Sequence, residues 1–234
     1  MNDGSRVQQL LGLSGPPIAI GYFAEPPAGV EPYDGAAVPA GCSFWRLARQ
    51  GQSFYTQHAD HLNCAVGSYT HGIEMPAERA GELEATIGLM VESGYLRMEE
   101  VPGIPVLAKS HRYVAYGPAD GAGFAPDVVI VPARPAQAML LYEAALRAGA
   151  GGMAADVLGR PGCAIEPLVA NSGQAAFSFG CMGNRTFSGL SEDEMYIAVP
   201  GARWPDVVAA LEDIVAANQR MGAYYTGQAA RFGG

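Results

Sequence analysis

Apolar positions fall in two kinds of pattern along the chain. "PPIAIGYF" (Pro16 to Phe23) and "PDVVIVP" (Pro126 to Pro132) are short unbroken apolar runs bounded by proline, the pattern of buried strands. "SFYT", "IPVLA", "HRYVAYG", "AAFSF" and "EMYIAVP" are shorter strand-like runs, and a tight turn near Lys109 and Ser110 is expected to join the second to the third. Helical spacing appears from Ala77 on, where Ala80, Leu83, Ile87, Met90 and Val91 share one face and glutamates the other. It returns in "AQAMLLYEAALRAG", ended by Gly149, and in Val207, Leu211, Ile214, Val215 and Asn218, with Pro205 in the first turn. Shorter helices are expected over Ser5 to Leu11 and over "CSFWRLARQG", stopped by Gly51. Glu25 to Gly41, rich in Pro, Gly and Ala, reads as a loop, and "GCAIEPLVANSG" as a turn or short helix.

Two stretches show neither period. "HLNCAVGSYTHG" (His61 to Gly72) and "SFGCMGNRTFSG" (Ser178 to Gly189) each set a cysteine eight positions before a glycine. Their contexts match as well. The first half runs strand, Gly41-Cys42, Ala48 and Gly51, Phe54, then Cys64. The second runs strand, Gly162-Cys163, Ala170 and Gly173, Phe177, then Cys181. The cysteines stand 22 positions apart in one half and 18 in the other. Such self-similarity points to an internal duplication. The expected architecture is α/β or α+β: a single domain over residues 1–234, made of two degenerate halves of about 1–117 and 118–234. A pseudo-two-fold would relate them, around a mixed sheet with flanking helices. The helix over Ala136 to Arg147 has no counterpart in the first half.

Composition narrows the chemistry. The chain has 234 residues, 49% of them hydrophobic and only 16% charged, which supplies a core and hints at a homo-oligomer. The formal charge is −9 and Lys109 is the only lysine. Phosphate backbones and anionic membranes are met by clustered Lys and Arg, so the composition argues against nucleic-acid and membrane partners. The N-terminus lacks a basic region followed by an apolar run, and no apolar stretch reaches 18 residues. A cytoplasmic protein is expected, and in that reducing compartment four cysteines read as thiols or ligands before disulfides.

A two-fold through the centre would bring Cys42, Cys64, Cys163 and Cys181 together. Four thiolates suit tetrahedral zinc or a [4Fe–4S] cluster. The glycines beside these cysteines permit tight turns with amide N–H groups aimed at sulfur. The spacing is not decisive, because no Cys-x-x-Cys pair occurs. Buried or individually reactive thiols stay open as alternatives, as do disulfides. Iron–sulfur is favoured over zinc because structural zinc sites staple units that lack a core. Asn184, Arg185, Arg160 and His71 are the candidates to bind a small anionic substrate, the arginines through their planar forks. His58 and His61 also flank Cys64. No Gly-x-Ser-x-Gly elbow or Gly-Lys phosphate loop is present.

"GRPGCAIEP", "FSFGCMGNR" and the earlier "GC…ARQG…NCAVG" resemble an uncharacterised prokaryotic family, domain of unknown function 169, from Leu10 to about Ala216. The resemblance implies a prokaryotic cytosolic protein, with Cys42, Cys64, Cys163 and Cys181 at the family's cysteine positions, and it carries no activity. The leading expectation is therefore a cytosolic iron–sulfur protein that transfers electrons to a redox partner or does redox chemistry on a small molecule. The alternatives are a metal-free small-molecule binding or sensing protein, and an enzyme with a cysteine nucleophile beside a histidine.

Overall fold

The structure, a computed structural model, describes residues 3–231. Its helices are α1 (Asp3–Leu11), α2 (Cys42–Arg49), α3 (Ala65–Thr70), α4 (Gly81–Glu92), α5 (Pro135–Arg147), α6 (Ile165–Ser172), α7 (Met182–Ser188) and α8 (Trp204–Arg231). Its strands are β1 (Ile18–Phe23), β2 (Phe54–Gln57), β3 (Tyr113–Pro118), β4 (Val128–Ala133), β5 (Asp156–Leu158), β6 (Ala176–Ser178) and β7 (Met195–Pro200). The strands form one mixed sheet in the order β2-β3-β1-β4-β7-β6-β5. Every pairing is antiparallel except β5 with β6. The fold is α/β, a mixed sheet flanked by helices.

Successive strand residues point to opposite faces, and here both faces are covered. Ile20, Tyr22, Tyr116, Ile130 and Tyr196 pack with Phe44, Trp45, Ile165 and Val169 of α2 and α6. Val129, Val131, Ile197 and Val199 pack on the other face with Val7 of α1, Leu141 of α5 and Val207 and Leu211 of α8. Burial on both faces is why β1 and β4 read as unbroken apolar runs.

The six strands other than β5 read alike from either end once β1 is exchanged for β4, β3 for β7 and β2 for β6. The registers agree with that exchange. Ile18 faces Pro118 as Val128 faces Pro200, and Ile18 faces Ile130 while Ile20 faces Val128. Phe54 faces Tyr116 as Ala176 faces Ala198, so Ala176 is the counterpart of Phe54, one residue from the sequence match to Phe177. The matched glycines also share a backbone conformation. Gly51 and Gly173, and Gly72 and Gly189, all have positive φ, between 66° and 94°.

Two local expectations need correction. Residues 104–108 form no strand: the Leu107 N–H donates to Thr70 O and the Ala108 N–H to Asn171 Oδ1. Those bonds hold the segment against α3 and α6 instead of in a ladder. Nor are the two cysteine stretches without regular structure, as their lack of a period suggests: each starts a short helix, α3 or α7.

Candidate functional site

Each of the four cysteines sits at a helix start. Cys42 opens α2 after Gly41. Cys64 caps α3, its sulfur accepting the Gly67 N–H at 3.3 Å. Cys163 lies in the 3-10 turn Gly162–Ala164 that leads into α6. Cys181 caps α7, its own N–H donating to Asn184 Oδ1 at 3.0 Å. The elements interleave across the halves: α2 packs on α7, and the Gly162–Ala164 turn packs on α3. The Cys42 sulfur thus lies 3.8 Å from Gly183 O, and the Cys163 sulfur 3.8 Å from Thr70 Oγ1.

This interleaving turns all four cysteines into one cavity of about 310 Å³. The rest of its wall is largely apolar, with Ala40, Ala65, Val66, Met90, Leu96 and Phe187; Asn63, Asn184 and Arg160 add polar groups. None of the cysteines is in a disulfide. Burial pushes the Cys42 thiol up to about 12, reinforced by Cys181 and Cys64 and eased by the Asn184 side chain. Burial also raises Cys64, opposed by the Gly67 N–H, and raises Cys163 strongly, with Cys64, Cys181 and Cys42 adding to it. The sulfurs stand near enough that a charge on one disfavours a charge on the next. Cys42, Cys64 and Cys163 are therefore biased toward the protonated thiol. The Asn184 amide nitrogen is buried here, directed at the Cys42 thiol that it eases and met by no nitrogen or oxygen acceptor.

Behind the cavity lies a buried polar network. Glu166, 1% exposed, accepts hydrogen bonds from the Tyr22 hydroxyl at 2.7 Å and the Trp45 indole N–H at 2.9 Å. His71 Nε2 faces its Oε2 at 3.1 Å, and His71 Nδ1 faces Gly67 O at 2.8 Å. With Gly67 O on one ring nitrogen and a Glu166 oxygen on the other, the surroundings favour the imidazolium form. Burial opposes that charge, but Glu166 overcomes it and raises the His71 pKa. Removing one partner of such a pair costs about 3–5 kcal/mol, since the other is left buried and uncompensated. All four histidines gather here, His61 5.6 Å from His71 and His58 5.0 Å from His111 between ring centroids.

The residues singled out in the sequence divide. Asn184 and Arg160 line the cysteine cavity, and the Arg160 guanidinium lies 4.3 Å from the centre of the Tyr95 ring. His71 does not line it; it opens instead on a polar cleft with His58, His111 and Lys109. Arg185 is also absent from the cavity wall, its guanidinium donating to the carbonyls of Ser191 and Phe179. Its role in the structure is to hold the turns at both ends of α7. Glu166 went unnoticed in the sequence, although an acid inside the apolar run "AIEPLVA" was the signal for it.

A family described as uncharacterised ArCR, domain of unknown function 169, matches residues 6–210. The uncharacterised protein MJ0308 of Methanocaldococcus jannaschii is 28% identical over 184 residues, which cover 73% of this chain and 75% of that protein. No solved structure matches the chain.

Proposed function

The chain belongs to this uncharacterised family, and from that premise we propose that it is a cytoplasmic iron–sulfur protein. Cys42, Cys64, Cys163 and Cys181 would be the ligands of a [4Fe–4S] cluster that exchanges electrons with a redox partner. One observation carries the reading: four cysteines from four separate elements face a single apolar cavity. Soft thiolates select iron–sulfur clusters, zinc or copper(I). Among the described residues, no group of three or more His, Cys, Asp or Glu side chains stands so that it could hold a metal ion, so the reading rests on the shared cavity and not on a preformed ligand geometry. A cluster holds its thiolates farther apart than one ion does, and the cavity leaves room for a group of several atoms.

The surroundings fit this donor set. The Gly67 N–H already points at the Cys64 sulfur, and the buried Asn184 amide has a donor to give; such donors steady bound thiolates and tune their potential. Raised thiol pKa values are no obstacle, because a bound cation supplies the missing charge and loading releases the protons. Four cysteine ligands leave no open position on a cube, which favours electron transfer over activation of a substrate at iron. Cys42, Cys64 and Cys163 fit the role of nucleophile less well, since a nucleophilic cysteine needs a depressed pKa and these three are shifted upward. We read the matched strand order and glycines as the mark of duplication around an approximate two-fold, with each half supplying two ligands.

The test is anaerobic purification with iron and sulfide assay of wild type and Cys181→Ser. About four irons and four sulfides per chain are expected in wild type, with loss of most of both in the variant. An iron-free wild type, even after reconstitution with iron and sulfide, would leave a metal-free binding pocket as the better account.

A further inference from the structure

We propose that Glu166 is the positioning residue of the cysteine site, one carboxylate that fixes where the elements bearing Cys42, Cys64 and Cys163 meet. The inference rests on reading the four cysteines as one ligand set. Glu166 stands three residues after Cys163, one helical turn on. Its Oε1 accepts from Trp45, which stands three residues after Cys42 on α2. Its Oε2 faces His71, the residue that closes α3, the helix Cys64 opens. The same oxygen accepts from Tyr22 on the central strand β1. One side chain therefore reaches the sheet and both first-half cysteine elements from the segment that carries the third cysteine. Cys181 lies outside this set; its helix is held by Asn184 and by Ser188, which bonds the Tyr196 hydroxyl.

A carboxylate in the core is not explained by stability alone, because well-packed apolar residues serve a core at least as well as a buried ion pair. Directional bonds do what dispersion contacts do not: they set angles and distances between the elements they join. Ligands of a rigid centre need that precision, and groups behind the ligands supply it.

The experiment compares wild type, Glu166→Gln and Glu166→Leu, with folding checked by circular dichroism. Iron-free protein is treated with iodoacetamide, and the rate at each cysteine is read by mass spectrometry. Anaerobically loaded protein is assayed for iron, and its reduced state is recorded by electron paramagnetic resonance. In Glu166→Leu, alkylation of Cys42, Cys64 and Cys163 is expected to rise about tenfold or more, and that of Cys181 less than about twofold, as local opening frees those elements. Its iron content falls by about half or more. Glu166→Gln keeps the size and part of the bonding, so it recovers most of the protection and the iron but shows an altered resonance signal. Unchanged rates in Glu166→Leu, or equal acceleration at all four cysteines, would overturn the proposal. If Glu166→Leu does not fold, a Glu166→Gln protein identical to wild type in rates and signal would do the same. Should wild type hold no iron, the cluster reading fails while the alkylation rates still decide the role of Glu166.

Discussion

At Gly162 there is no room for a methyl group. A Cβ there would collide with Asn184 Oδ1 and come within 3.0 Å of Cys181 N and Gly180 Cα. The turn carrying Cys163 and the cap carrying Cys181 meet at this glycine, so its size sets how close two of the cysteines come. Gly162→Ala is expected to cost about 1–3 kcal/mol in chemical denaturation, the usual penalty for overpacking, and to reduce the iron bound on anaerobic loading. A variant with wild-type stability and iron would show that the turn yields freely. Some of this was legible: the repeated Gly-Cys pairs marked the cysteines, and Asn184 stood out beside them. Glu166 was not, because an acid in an apolar helix looks the same in sequence whether it faces solvent or three donors. Arg185 misled for the converse reason: a guanidinium beside a cysteine in sequence points away from it once the intervening residues coil into α7.

Among the elements, α2 bears most directly on the site, since it carries Cys42 and Trp45. Its far end is fastened by Arg49, which pairs with Glu194 at 2.9 Å and shares Ser14 with it. Burial works against the Glu194 charge, but the bonds from Arg49 and Ser14 hold its pKa down to about 2. A carboxylate whose pKa is lower folded than unfolded stabilises the fold above its unfolded value and loses that contribution as pH falls through the folded one. Arg49→Met is therefore expected to be less stable than wild type by about 1–2 kcal/mol above pH 5, the range for a bond to a charged group with partial exposure. The gap should close as pH falls toward 2. Denaturant midpoints measured across that range check it, and a gap that widened in acid would contradict it. The long helices can be read from their period and the central strands from their unbroken apolar runs. The short cysteine helices could not: six or seven residues rich in Gly, Ser and Asn have little helical preference, and packing against the facing half decides their form. Residues 104–108 resemble a strand in sequence because an apolar run does not say where its N–H groups will bond.

Across the whole molecule, the order of the six strands other than β5 and the β1–β4 register are unchanged when β1 is exchanged for β4, β3 for β7 and β2 for β6, as the proposed duplication requires. What the spacing did not disclose is the crossing-over, in which the Gly-Cys turn of each half packs on the cysteine-capped helix of the other. That contact is long-range and leaves no local pattern, yet it closes the cavity. Among the described residues no helix is long and apolar enough to cross a membrane. The most direct test of a cluster in this cavity is anomalous diffraction at the iron absorption edge from crystals grown without oxygen. The account predicts one strong compact peak between Cys42, Cys64, Cys163 and Cys181. A cavity with no iron signal, in crystals of protein loaded with iron and sulfide, would contradict it.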